Sequence, residues 1–256
     1  MDRLRRGALR THRRAARRRH PRRPPRRAPG GAWPGRTGNR RIGHGRARHG
    51  RRRGMTPAPV GFDLDMTLID SQRAILASFA AVAAETGVRI EPEGVLSRLG
   101  IKLQDELAHW FPPAGIDDAV RIYRAHYLLL LGPCTTVLPG AAEALAAVRA
   151  AGARAVVITA KAELPARLSL DGVGLRADEI VADAHGPEKA AVLTLIGAVA
   201  YVGDTPADMA AAVTAGIHPV GVATGSFGEA ELRAAGAADV LSSLADFPAL
   251  YRKIIP

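Results

Sequence analysis

One cysteine, Cys134, in 256 residues leaves no internal disulfide to form, so a stapled secreted scaffold is excluded and a reducing compartment, the cytoplasm, is the expected location. Long apolar runs are missing as well. Apolar runs such as Leu128 to Leu131 fall far short of the ~18 to 20 residues that span a bilayer, so no membrane partner is expected. Aromatics make up only 4% of the chain, which leaves aliphatic side chains and alanine to build the core. Acidic residues are nearly absent from one end: residues 1 to 54 hold 21 Arg against one Asp, and no Ser or Lys. That segment carries +20 and the remaining 202 residues carry −8, so the pI of 11.0 describes a tail.

With Trp33 as its single aromatic, the tail cannot bury enough apolar surface to offset the entropy of ordering, and it is expected to be disordered. Prolines at 21, 24, 25, 29 and 34 rule out the amphipathic helix of a transit peptide. The charge density would bind nucleic acid through phosphates, non-specifically and with strong salt dependence, if the tail is made. Met55 stands directly before the first foldable segment and is the expected initiator in the simpler reading.

From Pro57 on, short apolar runs alternate with longer segments of 3.6-residue period, the pattern of βα units on a parallel sheet. Expected strands are Val60 to Asp63, Ala155 to Thr159, Glu179 to Ala182, Ala198 to Val202 and Pro219 to Val222. About ninety residues separate the first two, and they read as helices without a strand: Ser71 to Thr86, Glu91 to Arg98, Leu103 to Trp110 and Ile116 to Leu131. Ser71 is the expected cap of the first. Val120, Tyr123, Tyr127 and Leu130 share a face of the last, which suits packing. Gly132 to Gly140, with Pro133 and Pro139, reads as a hinge. The expected organisation is an α/β core over 55–70 and 136–256 with an inserted helical cap over 71–135.

Chemistry concentrates at the carboxyl ends of strands, where open α/β sheets hold their ligands. Val60-Gly61-Phe62 runs into Asp63-Leu64-Asp65, and Tyr201-Val202 runs into Gly203-Asp204-Thr205-Pro206-Ala207-Asp208. Either acidic pair alone is explained by turn and cap chemistry. Four carboxylates converging on one sheet edge call for a hard divalent cation, and Mg²⁺ fits an all-oxygen donor set. Thr159 ends the second strand, where a hydroxyl and helix amides can hold phosphate. Lys189, fifteen residues before Asp204, can bring an ammonium to the same edge, and Lys161 is the alternative.

This combination resembles the haloacid dehalogenase-like hydrolases, in particular the magnesium-dependent phosphatases that carry a helical cap after the first strand. Phe62-Asp63-Leu64-Asp65-Met66-Thr67-Leu68 is similar to the first family motif, Thr159 to the second, Lys189 to the third, and Gly203-Asp204-x-x-x-Asp208 to the fourth. Met66 stands where relatives usually have Gly, Ala160 where Asn is frequent, and Lys189 lacks the usual following Pro.

The resemblance implies a Rossmann-like core, Mg²⁺, and a small phosphomonoester, phosphoglycolate-like, as substrate. It implies Asp63 as nucleophile, Asp65 as general acid and base, and Thr159 and Lys189 as phosphoryl holders. Cation ligands would come from Asp63, Asp204, Asp208 and the Asp65 backbone carbonyl. Thr67, Arg98, Lys102 and Lys161 are the candidate substrate contacts. A sugar-phosphate mutase would share the four motifs and differ in the cap. A dehalogenase would have little use for Asp65, and a phosphonate hydrolase would need Lys102, the only lysine of the cap. From a different class, a nucleic-acid-binding protein would act through the basic tail. A monomer or homodimer is expected.

Overall fold

The computed structural model describes residues 57–254, so the expectations for residues 1–54 lie outside the described residues. The chain opens with β1 (Val60–Phe62) and β2 (Ile69–Asp70), followed by four helices, α1 (Gln72–Thr86), α2 (Pro92–Ser97), α3 (Leu103–Leu107) and α4 (Pro113–Cys134). It continues through β3 (Thr136–Val137), α5 (Ala141–Ala150), β4 (Ala155–Ile158), α6 (Glu163–Gly172), β5 (Glu179–Val181), α7 (Pro187–Ile196) and β6 (Ala200–Gly203). α8 (Pro206–Thr214), β7 (His218–Val222), α9 (Glu229–Ala234), β8 (Asp239–Leu241) and, after a 3₁₀ turn at Leu244–Asp246, α10 (Phe247–Ile254) complete it.

Six strands form one parallel sheet in the order β5-β4-β1-β6-β7-β8. The central strands are buried on both faces, hence their continuous apolar character. Phe62, Leu145, Phe247 and Tyr251 pack on one side, and Ile158, Leu193 and Tyr201 on the other. From β1 the chain crosses first toward β4 and β5 and then back to β6, so the order reverses beside β1, and ligand crevices form at such a reversal. Phe62 lies opposite both Val157 and Val202, which brings Asp63, Thr159 and Asp204 to the same edge.

Helices α1 to α4 enclose a separate core of Ile75, Phe79, Val82, Leu107, Tyr123 and Tyr127, where Phe79 meets Tyr123 at 4.9 Å between ring centres. The α/β class expected from the sequence is what the structure shows. Among the described residues no helix is long and apolar enough to cross a membrane.

Several local expectations need correction. The stretch between the first two sheet strands is not strand-free: β2 and β3 pair antiparallel, Ile69 with Val137, tying together the two chain segments that enter and leave the helical block. Two residues are too few to show alternation. Pro133 does not break α4, which continues to Cys134, because a proline in the last turn removes only one backbone bond, next to the exposed Leu129. α3 ends at Leu107 instead of Trp110. β8 is a half-buried edge strand whose short Asp-Val-Leu run carries no periodic signal. Gly140, at φ 85°, lies so close to the 3₁₀ turn that a Cβ would fall 1.9 Å from the Ala245 nitrogen, so only glycine fits there.

Candidate active site

The turn after β1 gives two carboxylates different partners. The Asp63 amide donates to the Val202 carbonyl at 2.8 Å, continuing the ladder one residue beyond the strand. The chain then closes on the Leu64 carbonyl, which accepts from the amides of Leu68 and Ile69 at 2.9 and 3.1 Å. Met66 takes φ 58°, the left-handed conformation in which glycine is at ease, at a cost on the order of 1 kcal/mol. The turn geometry is therefore kept despite the side chain, and the Thr224 hydroxyl donates to the Met66 carbonyl from the β7 side.

Opposite, Gly203 ends β6 and Thr205 caps α8 through a reciprocal box. The Thr205 hydroxyl accepts from the Asp208 amide at 3.2 Å, and the Asp208 carboxylate accepts from the Thr205 amide and hydroxyl. Pro206 occupies the first turn, as its fixed φ favours. Asp204 is not the cap. Its Oδ1 accepts from the Thr67 hydroxyl at 2.9 Å, and its Oδ2 lies against Gly225, where a Cβ would come within 2.0 Å. Gly225→Ala is therefore expected to push Asp204 aside and weaken divalent-cation binding by roughly tenfold or more, with little change in fold. Calorimetric titration with Mg²⁺ checks this, and wild-type affinity would refute it.

Lys189, in the first turn of α7, donates from Nζ to Asp63 Oδ1 and Asp208 Oδ1, both at 2.7 Å, above the ring of Tyr201. Burial acts to lower its pKa, but the carboxylates of Asp208 and Asp63 outweigh burial and hold it well above its ordinary value. Asp63, Asp204 and Asp208 bring ligand oxygens within 4.8 Å of one another, and each residue is at most 4% exposed. Three buried carboxylates against one ammonium leave excess negative charge. Burial, opposed by Lys189 and reinforced by Asp208, raises Asp63 from 3.8 to about 7. Burial and then the charges of Asp63 and Asp208 raise Asp204 well above the usual carboxylate range. A buried, all-oxygen, over-negative donor set fits a hard divalent cation.

The raised pKa has a signed consequence. The folded protein keeps its Asp63 proton up to about pH 7, whereas the unfolded chain loses it near 3.8, so the cation-free protein loses stability from this group as pH rises between those values. A cation bound there would have to displace that proton. Its apparent affinity is expected to fall by up to about tenfold per pH unit below 7, read by titration between pH 5.5 and 8. An affinity independent of pH would contradict the arrangement.

Asp65 stands apart from this trio. Its carboxylate accepts from Lys161 Nζ at 2.6 Å and from the Ser71 hydroxyl, so Ser71 begins α1 without capping it by a side-chain bond. Lys161 also donates to the Tyr127 hydroxyl of α4. Asp63, Asp65, Thr159 and Lys161 form one end of a cavity of about 240 Å³ between the sheet edge and helices α1 to α4.

Of the four candidate substrate contacts, Lys161 and Arg98 line this cavity, whereas Thr67 and Lys102 turn elsewhere. Thr67 is fully buried and committed to Asp204, and Lys102 reaches Glu188 on α7 at 2.7 Å. Arg98 is itself engaged, its fork on Glu106 at 2.9 and 2.7 Å and its plane 5.0 Å from the centre of the Trp110 ring. Lys189 lies behind the carboxylates, outside the cavity wall. Ser71, Glu106, Tyr127 and Gly225 were not singled out by sequence reasoning as site residues. Only Gly225 had a signal, in Gly221-Val222-Ala223-Thr224-Gly225; Tyr127 reads as packing.

A parallel sheet with carboxylates at the ends of its two switch-point strands, and a helical block inserted after the first, defines a haloacid dehalogenase-like α/β hydrolase. The chain belongs to that family: the model for haloacid dehalogenase-like hydrolases matches residues 60–184, and a related HAD-hydrolase-like model matches 144–247. It is 31% identical to a phosphoglycolate phosphatase of Rhodospirillum rubrum, over 75% of this chain and 90% of the relative. It is 33% identical to the tyrosine-protein kinase PtkA of Mycobacterium tuberculosis over 70% of this chain, and spans 66% of the length of that relative. In fold it is similar to a hydrolase from Pseudomonas syringae, with a TM-score of 0.68 and 21% identity, over 78% of this chain and all of the other.

Proposed function

We propose that the protein is a magnesium-dependent phosphatase that hydrolyses a small phosphomonoester through an aspartyl-phosphate on Asp63. The observation that carries this reading is the juxtaposition of a buried, cation-demanding carboxylate trio with a second carboxylate, Asp65, that faces the cavity and is bonded to different partners. Two acids held in separate environments can divide nucleophile from proton carrier. The phosphoglycolate phosphatase relative supports the substrate class.

Held by Asp63, Asp204 and Asp208, with the Asp65 backbone carbonyl as a further ligand, Mg²⁺ would supply charge neutralisation that lets a carboxylate approach a phosphate anion. Lys189 fixes Asp63 through Oδ1, leaving Oδ2 for in-line attack on phosphorus. The phosphorus–oxygen bond to the leaving group breaks as the bond to Asp63 forms. Asp65 gives a proton to the leaving oxygen and then takes one from the water that releases inorganic phosphate and restores Asp63. Thr159 and Lys161, both on the cavity wall, hold the transferring oxygens, the position of Lys161 favouring it over Lys189 for that role. Arriving phosphoryl oxygens compete for Lys161, which frees Asp65 to carry a proton.

The test is release of phosphate from a panel of phosphomonoesters by the full chain with Mg²⁺ and with chelator. Turnover with Mg²⁺ that chelation abolishes is the expected result. Turnover unaffected by chelation would refute the cation's role, and no turnover on any ester would refute the phosphatase reading.

A further inference from the structure

The cavity above Asp63 has few charges to offer a substrate. Ile75, Phe79, Val95, Ile101 and Tyr123 supply much of its wall, and Tyr127 lies beneath, stacked at 5.6 Å and 10° on Tyr123. We propose that the leaving group of the substrate is neutral and apolar, about one ring in size, and that substrates with a second anionic group, such as phosphoglycolate, are disfavoured. This inference rests on the phosphatase reading.

Three observations carry it. First, each cation within reach that is at least partly buried is already compensated. Arg98 is held in bidentate fashion by Glu106, Lys102 is drawn out of the cavity by Glu188, and Lys161 is bonded to Asp65 at the phosphoryl end. Second, Glu106 lines the cavity beside Arg98, so a carboxylate on the leaving group would meet an anion together with the cation. A desolvated charge without its own partner is disfavoured, whereas an apolar ring gains from the same wall. Arg124 and Asp183 also border the cavity, but both are exposed, where solvent screens them.

Third, the size fits. An apolar cavity of about 150 Å³ accommodates benzene, so 240 Å³ takes a ring and leaves room for the phosphoryl group at Asp63. Phe79 and Tyr123, with ring centres 4.9 Å apart, offer aromatic surface to it. The net reaction is the ester plus water giving a neutral alcohol and inorganic phosphate: the phosphorus–oxygen bond breaks, the water oxygen joins phosphorus, and one of its protons ends on the alcohol.

The experiment uses the full chain with Mg²⁺ and two matched pairs of probes. Benzyl phosphate and phosphoglycolate are both esters of primary alcohols, so their kcat/KM ratio reports recognition. The non-hydrolysable 2-phenylethylphosphonate and 3-phosphonopropionate, compared by calorimetry, report binding without turnover. The phenyl member of each pair is expected to lead by roughly tenfold or more. Equal or tighter binding of 3-phosphonopropionate would overturn the proposal while leaving the phosphatase reading intact if either ester turns over. Tighter binding of 2-phenylethylphosphonate with no turnover of any ester would uphold the character of the cavity and refute the phosphatase reading. Ile101→Arg, at a half-buried wall position, adds a cation without an assigned partner and should narrow the binding ratio by about tenfold. An unchanged ratio in the folded variant would place the leaving group away from this wall and overturn the proposal.

Discussion

Asp63→Asn is expected to lower kcat by at least about 10⁴-fold while the protein remains folded. In the proposed mechanism the amide keeps the shape of the side chain but removes the attacking oxygen anion, and with it a ligand of the proposed cation. Folding should survive because the wild-type carboxylate is itself buried at an energetic cost. Above pH 7 it is charged against the opposition of burial and of Asp208, which is why its pKa lies near 7. In cation-free buffer at pH 8 the variant should therefore melt at or above the wild-type temperature, and its midpoint should respond less to Mg²⁺. Initial rates on a phosphomonoester together with thermal scans give both readouts. A rate within about a hundredfold of wild type would remove Asp63 from the nucleophile's role.

Lys189→Met has the opposite signature. It takes away the one ammonium bonded to Asp63 and Asp208 and leaves three carboxylates in a buried cluster. Breaking a buried charge cluster by removing one partner costs about 3–5 kcal/mol. For a folded unit near 200 residues, each kcal/mol moves the midpoint by about 2–4 °C, so a drop of roughly 6–20 °C is expected without cation. Divalent cation replaces part of the missing positive charge. Mg²⁺ should consequently raise the variant's midpoint by more than it raises that of the wild type. A midpoint equal to wild type in chelator would show that the ammonium does not balance these acids.

The outer form of the site is readable in the chain because its grammar is local. An apolar strand, a turn and a helix are neighbours in sequence, so Phe62-Asp63-Leu64-Asp65 and Val202-Gly203-Asp204 announce strand ends bearing acids. Even Met66, where glycine is usual, does not mislead, since the turn's backbone bonds to Leu64 and Ile69 hold φ 58° against the side chain's preference. β2, β3 and β8, of two or three residues each, are not legible in the sequence because no periodicity can develop in them. The last helix of the block, expected to stop at Leu131, runs on to Cys134 because a proline in the last turn of a helix costs little.

Lysine assignments illustrate what lies beyond local pattern. Lys161 and Lys189 are both plausible near a strand end, and nothing beside them in sequence separates them. Their partners do: Asp65 is 96 residues from Lys161, and Asp63 is 126 residues from Lys189. Likewise Arg98 and Lys102 read as free cations of a substrate loop until Glu106 and Glu188 are brought against them.

By itself the sequence determined the α/β class, the two acid-bearing strand ends and the family, because strand, turn and cap chemistry act between residues a few positions apart. Only the tertiary structure decided which charges remain available. It bonded Thr67 to Asp204 across 137 residues, separated Asp65 from the carboxylate trio, and placed a largely apolar cavity over Asp63. Compensation between charges depends on distance in space and on the exclusion of water, and neither follows from separation along the chain.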